Sequence, residues 1–329
     1  MDVAEVSKLH ENIERILAKT FQTRNGKTGK VLDVRGHYAG LIDIGHDHAL
    51  ALHSDGVGTK VLVADACQKF HTIGIDCVAM NVNDIICLGA EPLALVDYLA
   101  LEKPNPRLVA EIMVGLQRGA VEAGVAVVSG ETAIVPDLLH GFDLSASVVG
   151  FVRKNRVITG ENTEPGDVVL GLPSSGIHSN GLTLARKILP TKSTNKRILN
   201  ELLTPTRIYV KSVSKLLNSR IPVHGLAHIT GGAYSKLKRI GSRARVGFHF
   251  DNLPDPPSIF QRLQTKGRIT NREMFRTFNM GIGFLIVCPK TSEKPIHRLV
   301  PEARRVGYVT SSSDVSISWK GRDIEVESW

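Results

Sequence analysis

Residues 74–89 constrain the fold of this chain more than any other stretch. Ile75, Val78, Ala79, Val82, Ile85 and Ile86 recur three and four apart, which sets them on one face of a helix. The opposite face carries Cys77, Met80, Cys87 and Leu88. A helix that is apolar on both sides belongs in the interior of a protein. Asn81, Asn83 and Asp84 nevertheless interrupt it. Burying a carboxylate without a partner is strongly disfavoured. Asp84 is therefore expected to face a cleft or a cation, the alternative being a satisfied hydrogen bond from a neighbouring loop.

The residues ahead of this helix bring chemistry. Residues 49–53 alternate as a strand does, with Leu50 and Leu52 on one side and Ala49, Ala51 and His53 on the other. Asp55 then falls at a strand's carboxyl end, followed by Gly56, Gly58, Thr59 and Lys60. The glycines leave backbone N–H groups open to close approach. A carboxylate, bare amides and a lysine within six residues suit a magnesium–phosphate group. Taken alone, the same residues also describe a tight turn with solvated charges.

Further along, residues 92–101 read as a strand with Leu93, Leu95, Asp97, Leu99 and Leu101 on one face, so Asp97 is a second acid in an apolar row. A helix is predicted over 106–123. A buried strand follows over 125–129, ending in Gly130-Glu131-Thr132, and another strand over 144–152. This alternation predicts an α/β fold. Residues 153–166 are polar and end in Pro165-Gly166, which divides the chain into an N-terminal domain (1–152), a linker (153–166) and a C-terminal domain (167–329).

The second half opens with a strand over 168–172. The small-residue loop Ser174-Ser175-Gly176-Ile177-His178-Ser179-Asn180-Gly181 follows, then a helix over 182–189. A loop between strand and helix start is an anion site by its free amides, and His178 is placed to act as acid, base or donor. A further helix is predicted to start at 203–207. Gly231-Gly232 closes a strand-like run as another anion candidate. Residues 251–272 read as irregular, and the tail from 306 as edge strands. Residues 3–19 read as an amphipathic helix bearing Val3, Val6, Leu9, Ile13, Ile16 and Leu17, not a signal peptide.

Several function classes drop out. No run reaches the ~18 apolar residues of a membrane span. Net charge is +9, but aromatic residues make up only 5% and do not interleave with the basic ones as in single-strand nucleic-acid binders. Anionic small molecules suit the scattered bases better. Cys67, Cys77, Cys87 and Cys288 lie too far apart for a CxxC site and read as free thiols of a reducing cytoplasm. Arg24-Asn25-Gly26-Lys27-Thr28 fails as a P-loop, because Phe21 stands where the first glycine belongs. His46 and His48 share a strand face without a third ligand.

Several motifs together carry a resemblance: SDGVGTK (54–60), TIGIDCVAMNVNDIICLGAEPLALVDY (72–98), GET (130–132), SSGIHSNG (174–181), TPTRIYVK (204–211), HITGG (228–232) and MFRTFNMGIG (274–283). In this order they resemble the phosphoribosylformylglycinamidine cyclo-ligase family of purine biosynthesis over residues 54–288. The departures are Ala233 at the family's third glycine and Leu237 at its asparagine. The resemblance implies two α/β domains, with N-terminal sheets pairing into a barrel in a cytoplasmic homodimer. It implies ATP and Mg2+ as cofactors, and ring closure of formylglycinamidine ribonucleotide to aminoimidazole ribonucleotide with release of ADP and phosphate. It implies Asp55, Asp84, Asp97 and Glu131 as metal ligands. Gly56, Gly58, Thr59, Lys60, Asn81, Asn83 and Thr132 join them around ATP. Ser174, Ser175, Gly176, His178, Ser179, Asn180, Gly231 and Gly232 would bind substrate. His178, Lys60 and Asp84 are the expected catalytic residues. Nucleic acid and membrane are not expected partners. The nearest alternatives are thiamine-phosphate kinase, selenophosphate synthetase and the large amidotransferase of the preceding purine step.

Overall fold

The structure, a computed structural model, describes residue 9 and residues 12–326. Residues 3–8, 10 and 11 of the predicted N-terminal helix lie outside the described residues, and residues 12–17 are helical.

The first half is a sheet of β1 (Lys30–Leu32), β2 (Gly40–Gly45), β3 (His48–Gly56), β4 (Glu91–Leu101), β5 (Ala126–Ile134) and β6 (Phe142–Arg153). Their order is β1-β2-β3-β6-β4-β5. Only β4 and β5 pair in parallel, and a parallel pair needs a long crossover. The helix Pro106–Ala123 supplies it. We call Val61–Cys67 α1, His71–Ile86 α2 and Pro106–Ala123 α3.

Helix α2 is the buried element the sequence demands. Fourteen of its residues are buried, Asp76, Asn81, Asn83 and Asp84 among them. It packs on β3, β4 and β6 on one side and on α3 on the other. Glycines set the helix–helix distance. A Cβ on Gly115 would fall 1.9 Å from the His71 carbonyl oxygen, and one on Gly74 would fall 2.3 Å from that of Ile112. Here the two backbones touch, which only glycine permits.

The opposite face of this sheet is uncovered. Leu52, Val96, Tyr98 and Val128 all stand at least 40% exposed. The strand expected to be buried over 125–129 is therefore corrected: it runs to Ile134, lies at the sheet edge and is exposed over most of its length. Leu93 also leaves its expected row. It sits where the β4–β6 register shifts and is 42% exposed, while Leu95 and Leu99 are buried.

The second half is a seven-stranded sheet ordered β13-β12-β9-β11-β7-β10-β8. Its strands are β7 (Val168–Pro173), β8 (Gly225–His228), β9 (Gly247–Phe250), β10 (Ile282–Cys288), β11 (Arg304–Thr310), β12 (Val315–Trp319) and β13 (Arg322–Glu325). β10 is buried throughout and β7 up to Leu172, as their unbroken apolar sequences require. Three expectations are corrected. β11 is an interior strand and not an edge. Residues 251–272 contain the helix Ser258–Gly267, whose Ile259, Phe260 and Leu263 are buried behind a proline-rich entry. No helix starts at 203–207. That segment is irregular and the next helix, α4, is Val210–Leu217.

Residues 204–209 instead strap the two halves together. The Asn83 side chain donates to the Arg207 carbonyl at 2.8 Å and accepts from the Tyr209 N–H at 2.9 Å. Asp76 accepts from the N–H and hydroxyl of Thr206 at 2.7 and 2.6 Å.

Candidate functional site

The carboxyl end of β3 and the middle of α2 are locked together by Asn81. Its amide oxygen accepts from the Asp55 N–H, and its amide nitrogen donates to the Asp55 carbonyl, both at 3.1 Å. The Asp55 carboxylate is thereby fixed beside the next helical turn, which carries Asp84. One Asp84 oxygen lies 2.7 Å from Nδ1 of His228, at the end of β8, and the other lies 3.5 Å from Nε2 of His53. Ligating atoms of His53, Asp55 and Asp84 all fall within 4.8 Å of one another.

The electrostatics of this group are uneven. Burial, then the Asp84 charge, raises the Asp55 carboxyl above its usual range. Burial pushes Asp84 up as well, but the His228 hydrogen bond and charge outweigh it and hold Asp84 below its usual range. Lys236 sits nearby, its ammonium lowered by burial and drawn back up by Asp84. It donates to the Thr230 hydroxyl. His53 Nε2 is buried without a hydrogen-bond partner. Two converging carboxylates and an unsatisfied ring nitrogen fit a divalent cation. A cavity of about 280 Å3 opens beside His53, lined also by His37 and Tyr38.

The other two expected metal ligands stand apart. Asp55, Ala146, Asp97 and Gly130 are successive cross-strand partners on β3, β6, β4 and β5. Asp97 is thus two strands from Asp55, about 10 Å at the usual strand spacing. Burial raises its carboxyl. Glu131 pairs with Tyr98, one step further along the sheet, and is exposed together with Thr132.

Lys60 is turned into the interior. It is fully buried, 2.8 Å from Asp76 and 2.7 Å from the Thr204 carbonyl. Asp76 also accepts from the Ser179 hydroxyl at 3.0 Å. This network ties the first half to both loops of the second. Thr59 reaches Thr183 at 3.2 Å. Asn81 and Asn83, expected around the nucleotide, are spent on backbone groups.

The loop after β7 is tied to the segments beside it. Ser174 donates to Asn279 at 3.0 Å, Ser175 donates to the Pro205 carbonyl, and the Gly176 carbonyl accepts from Asn279 at 2.9 Å. His178 is buried. Its Nε2 accepts from the Ser175 N–H at 3.2 Å, and burial, helped by the His228 and Lys60 charges, pushes the ring well below its usual range. Asn180 keeps a buried amide nitrogen without a partner and faces Gly231. Gly232 and Ala233 both adopt positive φ, 84° and 41°. The second is a conformation glycine takes more readily than alanine.

Sequence reasoning missed His53, Asp76, His228, Lys236 and Asn279. Asp76 carries the same signal as Asp84, an acid in a helix apolar on both sides. His53 was read only as a strand residue, and His228 and Asn279 lie inside quoted motifs without having been assigned a role.

Residues 36–152 match the family model described as AIR synthase related protein, N-terminal domain, and residues 164–320 match its C-terminal domain. The chain belongs to the AIR synthase family. Relatives within it are named phosphoribosylformylglycinamidine cyclo-ligase. The one from Pyrococcus furiosus is 52% identical over 87% of this chain and 85% of its own length. That from Methanothermobacter thermautotrophicus is 44% identical over 96% and 94%. The AIR synthase fold also matches solved structures at low identity. A structure titled AaThiL complexed with AMPPCP and TMP gives a TM-score of 0.72 at 18% identity, covering all of this chain and 98% of its own. Hydrogenase maturation protein HypE gives 0.69 at 20% identity, covering 94% and 96%.

Proposed function

We infer that this chain catalyses the ATP-dependent ring closure of formylglycinamidine ribonucleotide to 5-aminoimidazole ribonucleotide, with release of ADP and phosphate. The ATP γ-phosphoryl group transfers to the formyl oxygen, the amidine nitrogen attacks that carbon, and the C–O bond breaks to release phosphate. The convergence of Asp55, held through its backbone by Asn81, and Asp84, held by His228, on one point carries this reading. Those two carboxylates are the groups that would hold Mg2+, which when bound neutralises charge on the triphosphate. Lys236, beside Asp84, adds positive charge to the same point. Asn180 and Gly231 offer the donor and the bare backbone that a ribose phosphate needs. Neutral His178 orients the Ser174–Ser175 turn, and Lys60 fixes the position of the two halves. The cavity beside His53 is the seat for the reacting end of the substrate.

We further assign the unit boundary to residues 153–166. We also propose a homodimer through the uncovered face and edge of the first sheet. Isolated apolar exposure is ordinary, but Leu52, Val96, Tyr98 and Val128 form one face of one sheet. Asp97 and Glu131 then lie near that interface, within reach of a nucleotide bound there. All four cysteines are unpaired, which suits the cytoplasm. Among the described residues no helix is long and apolar enough to cross a membrane.

The test is a turnover assay with formylglycinamidine ribonucleotide, ATP and magnesium, detecting aminoimidazole ribonucleotide as a diazotised dye. Product formation dependent on all three supports the assignment. ATP-dependent phosphorylation of thiamine monophosphate, with no imidazole product, would replace it with the kinase reading.

A further inference from the structure

A second cavity lies away from the site described above. It has a volume of about 680 Å3 and lies between the two halves, where residues 151–158 leave β6 and where the end of α4 turns back at residues 216–223. Phe151, which lines the cavity, pairs with Leu50, and Asp55 pairs with Ala146 on β6, so five residues, about 17 Å of strand, separate this cavity from Asp55.

Its charge is lopsided. Arg153, Arg156 and Arg220 line it, against the single carboxylate of Glu91. Arg156 is engaged, donating to the Leu217 carbonyl at 3.2 Å across the cleft. Arg35, Arg107, Arg207 and Arg276 each hold an ion pair with a carboxylate, whereas among the described residues no ion pair takes Arg153 or Arg220. Behind the arginines the wall is apolar, formed by Phe151, Ile158, Leu217 and Ile221, with exposed amides of Asn155, Asn162 and Asn218 at its rim.

We propose that this interdomain cleft is a second ligand site, which takes a nucleoside monophosphate. The phosphate sits between Arg153 and Arg220, for which guanidinium forks are matched in charge and geometry. The heterocycle lies on the apolar wall, with its polar edge toward the amides. The volume falls in the ordinary range for a small-molecule site, about 300–1,000 Å3. Because its walls come from both halves, a bound ligand fixes their relative position from a point remote from the reacting groups.

The experiment titrates AMP calorimetrically into the full chain already saturated with magnesium and a non-hydrolysable ATP analogue. The expected result is one saturable site per chain that persists with the reaction site filled. Kd should rise at least tenfold in Arg153→Ser/Arg220→Ser, the loss of about one charged hydrogen bond or more. Both side chains are exposed, so melting should be unchanged. Hydrogen exchange on the wild-type protein should slow in residues 153–158 and 214–223. Inorganic phosphate alone should bind at least tenfold more weakly than AMP. The proposal is overturned by loss of AMP binding under the analogue, by equal affinity in the variant, by slowed exchange confined to residues 53–60, or by phosphate binding as tightly as AMP.

Discussion

Replacing Asp55 by asparagine should make the metal-free protein more stable while removing its metal affinity. Asp55 and Asp84 present ligating atoms within 4.8 Å of each other. Two full charges at that distance repel by roughly 3.5 kcal/mol at an effective dielectric constant of about 20. Lys236 offsets part of this, leaving an expected gain of about 1–2 kcal/mol for the neutral amide. Asn81 holds the backbone of Asp55 and not its carboxylate, so its clamp survives. The Gly56 N–H, 2.8 Å from Asp55 Oδ1, still finds an amide oxygen. The sign follows from the raised carboxyl. A group that holds its proton more tightly folded than unfolded stabilises the fold below its unfolded value and loses that stabilisation as pH rises through its folded value. At pH 8 the wild-type protein therefore bears the full repulsion, and near pH 4 the two proteins should converge. Thermal melting in EDTA at pH 8 should show Asp55→Asn higher by about 2–4 °C. Magnesium with an ATP analogue should raise the wild-type Tm and leave the variant's unmoved. A lower Tm for the variant in EDTA, or an undiminished response to magnesium, would refute the reasoning.

Lys60→Met should cost about 3–5 kcal/mol in urea unfolding, because Asp76 is left as a buried, uncompensated charge. Adding Asp76→Asn should recover part of that, and the KM for ATP of folded protein should stay within about twofold, as expected for a residue that positions and does not touch the nucleotide. Gly115→Ala should destabilise by about 2 kcal/mol or more, since its Cβ would sit against the His71 carbonyl; denaturation that matches wild type would show that the helices part freely. Tyr98→Asp with Val128→Asp should shift sedimentation from dimer to monomer while far-ultraviolet dichroism is retained, and an unaltered sedimentation coefficient would remove this sheet face from the interface.

Local pattern carried much of the fold. Helix α2 announced itself through two apolar faces, and the 106–123 helix was legible to its ends because Asn105 caps it and Gly124 stops it. What local pattern cannot report is which side of an element is covered by something distant. Val127 and Val128 look like core residues, yet they stand on an edge strand in this chain. The 204–209 segment carries a proline that suggests a helix start, but its backbone is claimed by Asn83 and Asp76, over 120 residues earlier in sequence. The site was legible in the same partial way. Asp55 stood out at a strand's carboxyl end and Asp84 as an acid in apolar company, and the two do meet. Asp97 bears the same mark but lies two strands away. Lys60 looked free because its partner, Asp76, sits in a helix whose other polar residues drew attention first.

The most direct test of the account is a crystal soaked with manganese and a non-hydrolysable ATP analogue. The account predicts an anomalous peak about 2 Å from carboxylate oxygens of both Asp55 and Asp84, with triphosphate oxygens completing the shell. A nucleotide bound elsewhere, or manganese on Asp97 and Glu131 with Asp55 and Asp84 left untouched, would contradict it.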